Sequence, residues 1–136
     1  MEGEGTRESP YLNSTVEDFN QRSENTAANY QLANDLDFRN VEREPIPVFS
    51  GVLDGAGFTL SNLIIVEKEG LSTALISTLD NGIVKNFTIA NSISTNTSVR
   101  EYAAIVVGSI NENMSIGESI VDGITVIDSE VRSEYI

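Results

Sequence analysis

The chain has 136 residues and a net charge of −13, and it contains neither histidine nor cysteine. This length fits one domain, and the missing residues exclude His-based zinc sites, imidazole catalysis and disulfide bonds. The negative charge argues against nucleic acid or an anionic membrane as partner, and no apolar run approaches the ~20 residues of a transmembrane helix, so we predict no membrane insertion.

The N-terminal region contains two segments of different character. Residues 1–10 are acidic and lack periodic apolar positions, which predicts a disordered tail. Residues 11–29 are expected to hold a short capping helix, because Ser14 and Glu17 have the spacing of a capping box. A helix of two or three turns is too short to be stable alone, so it should dock on the rest of the chain.

Residues 30–136 have the pattern of repeated short strands. Apolar and polar residues alternate over 30–38, and residues 39–47 form a polar loop that ends at Pro47. Phe49–Ile65 then reads as two strands separated by a turn at Asp54-Gly55-Ala56-Gly57.

Self-similarity organises this region. Leu63, Phe87 and Ile124 can be aligned at steps of 24 and 37 residues, which is the period range of a solenoid. The alignment predicts that Ile64, Thr88 and Thr125 face outward. It also predicts an interior formed by Leu60, Leu63, Ile65, Val84, Phe87, Ile89, Val121, Ile124 and Val126.

The same alignment stacks Asn62 over Asn86. We predict that these two amides form a structural ladder at a turn, although exposed turn asparagines fit the sequence equally well.

Carboxylates are the candidate chemical groups. Asp54 and Asp80 occupy matching turn positions, so they could stack as an acid and base pair, whereas ordinary turn formation explains both residues without catalysis. Asp35, Asp37 and Asp54 are candidate calcium ligands, but the sequence has no calcium-binding motif. We predict no catalytic residue, no bound metal and no cofactor.

Two further features concern partners. Tyr102 and Tyr135 are candidate surface aromatics for a glycan or protein ligand. The C-terminal residues look like strands without a capping helix, which predicts an open end, a natural chain that continues, and end-to-end self-association.

The segments 49–60 and 79–89 resemble the GLUG-type repeats of bacterial cell-surface adhesins and of the N-terminal regions of immunoglobulin-A-protease-type metalloproteases. The resemblance implies a right-handed parallel β-helix of three to four coils at the surface of a bacterium. Ala74 and Ser77 stand where those repeats have glycines.

The sequence is therefore compatible with two functions. The first is a non-catalytic stalk or adhesion module that presents loops to a host or matrix protein or glycan. The alternative is a carbohydrate-active β-helix that binds or cleaves polysaccharide through stacked carboxylates.

Overall fold

The computed structural model describes residues 1–21, 26–97, 102–111 and 117–133. These ranges contain strands and one short helix, α1, at Val16–Asn20. The earlier strands are β1 Tyr11–Asn13, β2 Asn29–Leu32, β3 Leu36–Asp37, β4 Glu42–Arg43, β5 Ile46–Phe49, β6 Val52–Asp54 and β7 Thr59–Ser61. The later strands are β8 Ile64–Ile65, β9 Ile76–Asp80, β10 Ile83–Ala90, β11 Ile93–Asn96, β12 Val107–Asn111, β13 Ile120–Ile127 and β14 Glu130–Ser133.

The strands form three sheets in which the pairs between named strands are parallel. The first sheet contains β1, β2, β3, β6, β7, β10 and β13, the second contains β4, β8, β11 and β14, and the third contains β5, β9 and β12. The chain visits the first, second and third sheets in that order and then repeats the order, and we call each such round a pass. The prediction of an all-β protein with one short helix is confirmed.

Equivalent positions of successive passes lie side by side. Val84 pairs with Leu53 on one side and with Val121 on the other, and Ile89 lies likewise between Leu60 and Val126. Apolar side chains in these columns point to a common core because alternate residues of a strand face opposite sides of the sheet. The predicted interior positions that are buried are Leu60, Leu63, Ile65, Val84, Phe87 and Ile89.

The predicted repeat alignment is wrong between the second and third passes. It placed Ile65 beside Ile89, whereas Ile65 pairs with Ser94 and Ile89 pairs with Leu60. The error arises because β10 is one long strand that pairs with both β6 and β7. The turn at Gly55 therefore adds residues to the second pass that have no counterpart in the third.

β10 bends where it crosses that turn. Asn86 has a φ of 61°, and Gly123 beside it in β13 has a φ of 65°. Gly55 lies so close to β10 that an added Cβ would stand 2.3 Å from the Phe87 Cβ. A glycine at position 55 lets the two strands approach, and asparagine and glycine tolerate the left-handed backbone.

The helix caps the first pass, with its start one residue later than predicted. Thr15, not Ser14, is the N-cap, and its side chain accepts a hydrogen bond of 3.1 Å from Asp18 N–H. Asp18, not Glu17, accepts the second hydrogen bond at this helix end, from the N–H of Ser14. Phe19 is fully buried and meets Phe38 edge-to-face at 5.2 Å, so the helix docks on the core as expected.

Backbone hydrogen bonds tie the described residues of the N-terminal region to one another. Leu12 N–H donates to Glu2 carbonyl, and Asn29 N–H donates to Gly5 carbonyl. β1 follows and pairs in parallel with β2, so a strand as well as the helix covers this end. The strand was missed because three residues are too few to display alternation.

Candidate functional site

A groove opens between the helix and the first pass. Its volume is about 490 Å³. We call it the cap groove, and its lining residues are Ser14, Thr15, Val16, Glu17, Asn20, Asp35, Leu36, Asp37, Phe38, Arg39, Val41, Glu42 and Arg43. Its walls mix carboxylates, guanidinium groups and hydroxyls with apolar side chains, which suits a ligand that offers both hydroxyl groups and apolar surface.

Arg43 forms part of the cap groove wall and was not predicted from the sequence. Its guanidinium carbon lies 5.2 Å from the Phe19 ring centre and 5.3 Å from that of Phe38, and Nη1 donates to Asn20 Oδ1 at 3.0 Å. Burial lowers the pKa of the Arg43 guanidinium to about 10. The residue joins the helix to β4 through aromatic rings. The surrounding polar segment gave no sequence signal for this position.

The aspartates of the cap groove hold backbone and amide groups. Asp35 Oδ1 accepts from Thr59 N–H at 2.8 Å, and Asp37 Oδ1 accepts from Arg39 N–H at 2.8 Å and from the Asn62 amide at 2.9 Å. The Asn62 bond and then the Arg39 bond lower the pKa of the Asp37 carboxyl below its usual value. Hydrogen bonds to the ionised form stabilise it.

The three candidate calcium ligands are not gathered into one site. Asp54 lies in β6 and accepts from Ala56 N–H at 2.9 Å, whereas Asp35 and Asp37 line the cap groove. Among the described residues, no group of three or more histidine, cysteine, aspartate or glutamate side chains could hold a metal ion.

The predicted carboxylate pair is also separated. Asp54 ends β6 in the first sheet and is paired with Lys85, whereas Asp80 ends β9 in the third sheet and is paired with Asn111. The two turns looked alike because both combine aspartate with glycine, but they join different sheets. The alternative interpretation, a stacked acid and base pair, is therefore not supported by the positions of the two side chains.

Asn62 and Asn86 do not form a ladder. Ser61 pairs with Ala90, which places Asn62 beside Asn91, and Asn86 lies five residues earlier in the chain. The Asn62 amide bonds to Asp37, and the Asn86 amide lies 3.4 Å from Asp54 Oδ1. The column at this corner is instead Asn62, Asn91 and Asp128, each with a positive φ of 47–57°.

The two candidate tyrosines have different outcomes. Tyr102 is 70% exposed, and its carbonyl accepts a bond from Thr73 N–H, which fixes its backbone beside the second pass. It remains a candidate contact residue. Tyr135 lies outside the described residues.

A second groove lies at the opposite end from the helix. We call it the end groove. Its volume is about 520 Å³, and it is lined by Ala104, Ile105, Val106, Val107, Gly108, Ser109, Ile110 and Val121. The predicted interior residues Val121 and Val126 are 41% and 44% exposed here, because the described residues place no further strand over β13.

Comparison with known proteins gives one partial relative. The chain is 40% identical to Halomucin of Haloquadratum walsbyi over 103 residues, which cover 65% of this chain and 1% of that protein. No protein-family model matches the chain, and no solved structure matches it. The resemblance to GLUG-type repeats therefore stays a prediction. Within the described ranges, no helix is long and apolar enough to cross a membrane.

Proposed function

We propose that the chain is a non-catalytic module of a cell-surface or secreted protein, built as a right-handed parallel β-helix that serves as a stalk or presents a ligand-binding surface. The main observation in favour of this proposal is that successive passes stack in register. Val52, Ile83 and Ile120 lie in one column. Leu53, Val84 and Val121 lie in the next column. Stacked repeats give an elongated scaffold whose length grows with repeat number, which suits a spacer.

The placement outside the cell is supported by the partial match to Halomucin, a protein named as a mucin. The chain spans 1% of that protein's length, so this support concerns a module and not a whole protein. The match is to a protein of a haloarchaeon and gives no support for a bacterial origin. The acidic composition of the present chain, with a net charge of −13, also suits a surface that is exposed to solvent.

The non-catalytic role is supported by the use of the carboxylates. Asp37 and Asp54 each accept a hydrogen bond from the backbone N–H two residues later, as turn-forming aspartates do, and Asp35 accepts one from Thr59 N–H of the next pass. Two features could contact a ligand: the cap groove, which is large enough for a small ligand, and the exposed ring of Tyr102. The ligand we propose is a matrix protein or a glycan.

The experiment compares catalysis with binding. Purified chain is incubated with a panel of neutral and acidic polysaccharides, and reducing ends and unsaturated uronates are measured along with retention of each polysaccharide. We expect no product above buffer, and we expect Asp54→Asn and Asp80→Asn to fold and bind as the unmodified chain does. Product formation that either substitution abolishes in a folded variant would favour the carbohydrate-active alternative and overturn the proposal.

A further inference from the structure

The end of the stack opposite the helix exposes side chains that belong to core columns. Val84 and Ile89 in β10 are fully buried, whereas their partners Val121 and Val126 in β13 are 41% and 44% exposed. Paired positions of β10 and β13 thus differ in whether another described strand covers them. Val131 of β14, in the second sheet, is 46% exposed.

This surface also offers backbone hydrogen-bonding groups. Within the described part of the chain, β12 and β13 each pair with one strand, so each has one edge available. The end groove lies between Ile105, Val107 and Ile110 on one side and Val121 on the other. An apolar groove beside a free strand edge is the surface to which an extended strand adds by backbone pairing.

The charges on the first sheet indicate which residue an added strand should carry beside β13. On the outer face of the first sheet, Asp54, Lys85 and Asp122 lie in one column, so a cation stands between two acids. The next position beyond Asp122 favours a lysine or arginine, because opposite charges on neighbouring strands attract and like charges repel. Residues 117–133 carry four acidic side chains and one arginine, which bonds to Glu130 at 3.1 Å.

The backbone adds a second requirement. Gly123 has a φ of 65°, and its neighbour in β10, Asn86, has a φ of 61°. The Asn86 Oδ1 stands 2.6 Å from where a Cβ on residue 123 would be, so little room exists in this column. A strand that follows β13 therefore needs glycine or asparagine at the same position to follow the bend.

We infer that β13 accepts one further parallel strand of the β10 type, with apolar residues over Val121, Ile124 and Val126, a basic residue over Asp122 and asparagine or glycine over Gly123. This inference rests on the proposed function, because it requires the passes to stack as a solenoid. The occupant is a strand from a further repeat of this class. A second copy of this chain is disfavoured, since it would bring the same acidic end against itself.

The probe is a capped peptide with the sequence of residues 82–91, which contains β10 and its lysine. We expect saturable binding of one peptide to one chain, measured by fluorescence anisotropy with a labelled peptide. A matched peptide carrying Lys85→Glu should bind roughly tenfold more weakly, because an attraction is replaced by a repulsion. In the protein, Asp122→Lys should reverse this preference. Asp122 is exposed, so the substitution leaves the core intact.

Three outcomes would overturn the inference. The first is that the peptide does not bind. The second is that the peptide and its Lys85→Glu version bind with equal affinity, which indicates non-specific adhesion of an apolar peptide. The third is a dimer in sedimentation that Val126→Asp abolishes, because the occupant would then be a second copy. A separate double variant, Thr59→Cys with Thr88→Cys, tests whether the passes stack. If a disulfide forms between the two cysteines, the stacked passes are supported and only the inference has failed. If no disulfide forms, the proposed function fails as well.

Discussion

At the scale of single residues, aspartates and asparagines hold the turns of this chain. The Asp37 carboxylate accepts bonds from Arg39 N–H and the Asn62 amide, and the Asp54 carboxylate accepts from Ala56 N–H. These side chains replace backbone partners where the chain leaves a strand. Their abundance reflects the number of corners, and this explains why aspartates that resemble paired catalytic acids in the sequence are turn residues.

The first residue-scale prediction concerns ionisation of Asp37. Asn62→Ala removes the main cause of its lowered pKa, so we expect that pKa to rise toward the usual aspartate value near 3.8. Because folding lowers this pKa, the bond contributes stability above that value and loses it as the pH falls through the folded pKa. Carboxyl NMR titration measures the change. Asn86→Ala is the matched control and should leave the pKa of Asp37 unaltered.

A second prediction concerns the corner column. Asn91 is exposed and has a φ of 52°, in the left-handed region. Asn91→Ala should lower the free energy of unfolding by about 1 kcal/mol, whereas Asn91→Gly should leave it within a few tenths of its value. Chemical denaturation of the two variants provides the comparison. Equal stabilities for both would show that backbone strain does not govern this corner.

At the scale of elements, the sequence predicted strand content and burial better than register. Alternation identified the segments around Leu60, Val84 and Ile89 as half-buried strands, and all three residues are fully buried. Register failed because the predicted alignment and the observed pairing both put apolar residues over apolar residues. The corner sequences Ser61-Asn62, Ala90-Asn91 and Ile127-Asp128 carried the correct signal, since each has an Asn or Asp with a positive φ.

The candidate site was less accessible to sequence reasoning. The cap groove is made by side chains from α1 and from residues 35–43, which become neighbours only when the helix docks. Arg43 gains its role from Phe19 and Phe38, which lie 24 and 5 residues away in sequence. No local pattern encodes such a contact, because it depends on tertiary packing.

An element-scale prediction concerns the close approach of β10 to the turn after β6. Gly55→Ala would place its Cβ 2.3 Å from Phe87 Cβ and 2.5 Å from Asn86 carbonyl oxygen. We expect a loss of about 1–3 kcal/mol in the free energy of unfolding, because backbone and core must shift. Gly117→Ala is the control, since nothing lies within 4 Å of its added Cβ. If both variants unfold alike, the close approach is absent.

At the scale of the whole molecule, charge opposes compaction. The net charge is −13, and the ion pairs Lys68–Glu44 and Arg132–Glu130 are exposed, so they offset little of the repulsion. Salt at 1 M shortens the screening length to about 3 Å, from about 10 Å at 0.1 M. The fold should therefore be more stable in concentrated salt.

Thermal unfolding at pH 7 checks this expectation. Between 0.1 and 1 M NaCl we expect Tm to rise by roughly 5 °C, which corresponds to about 1 kcal/mol for a domain of this size. The control is the same comparison near pH 4, close to the isoelectric point of about 4.1, where the increase should shrink. A Tm that falls or stays constant with salt at pH 7 contradicts the role of repulsion.

The proposed module and the strand site proposed on β13 both depend on the register of the stacked passes. Because the chain has no cysteine, introduced thiols can pair only with each other. Thr59 and Thr88 pair on neighbouring strands of the first sheet, whereas Ile64, which the repeat alignment placed with Thr88, lies in the second sheet. Neighbouring strands lie about 4.8 Å apart, within reach of a disulfide.

The decisive measurement is intramolecular cross-linking of two double variants under mild oxidation, followed by mass spectrometry. We expect Thr59→Cys with Thr88→Cys to link efficiently, and Ile64→Cys with Thr88→Cys to remain reduced. The opposite result, with the second pair linked and the first free, would contradict the stacked arrangement on which the proposed module and the strand site proposed on β13 both depend.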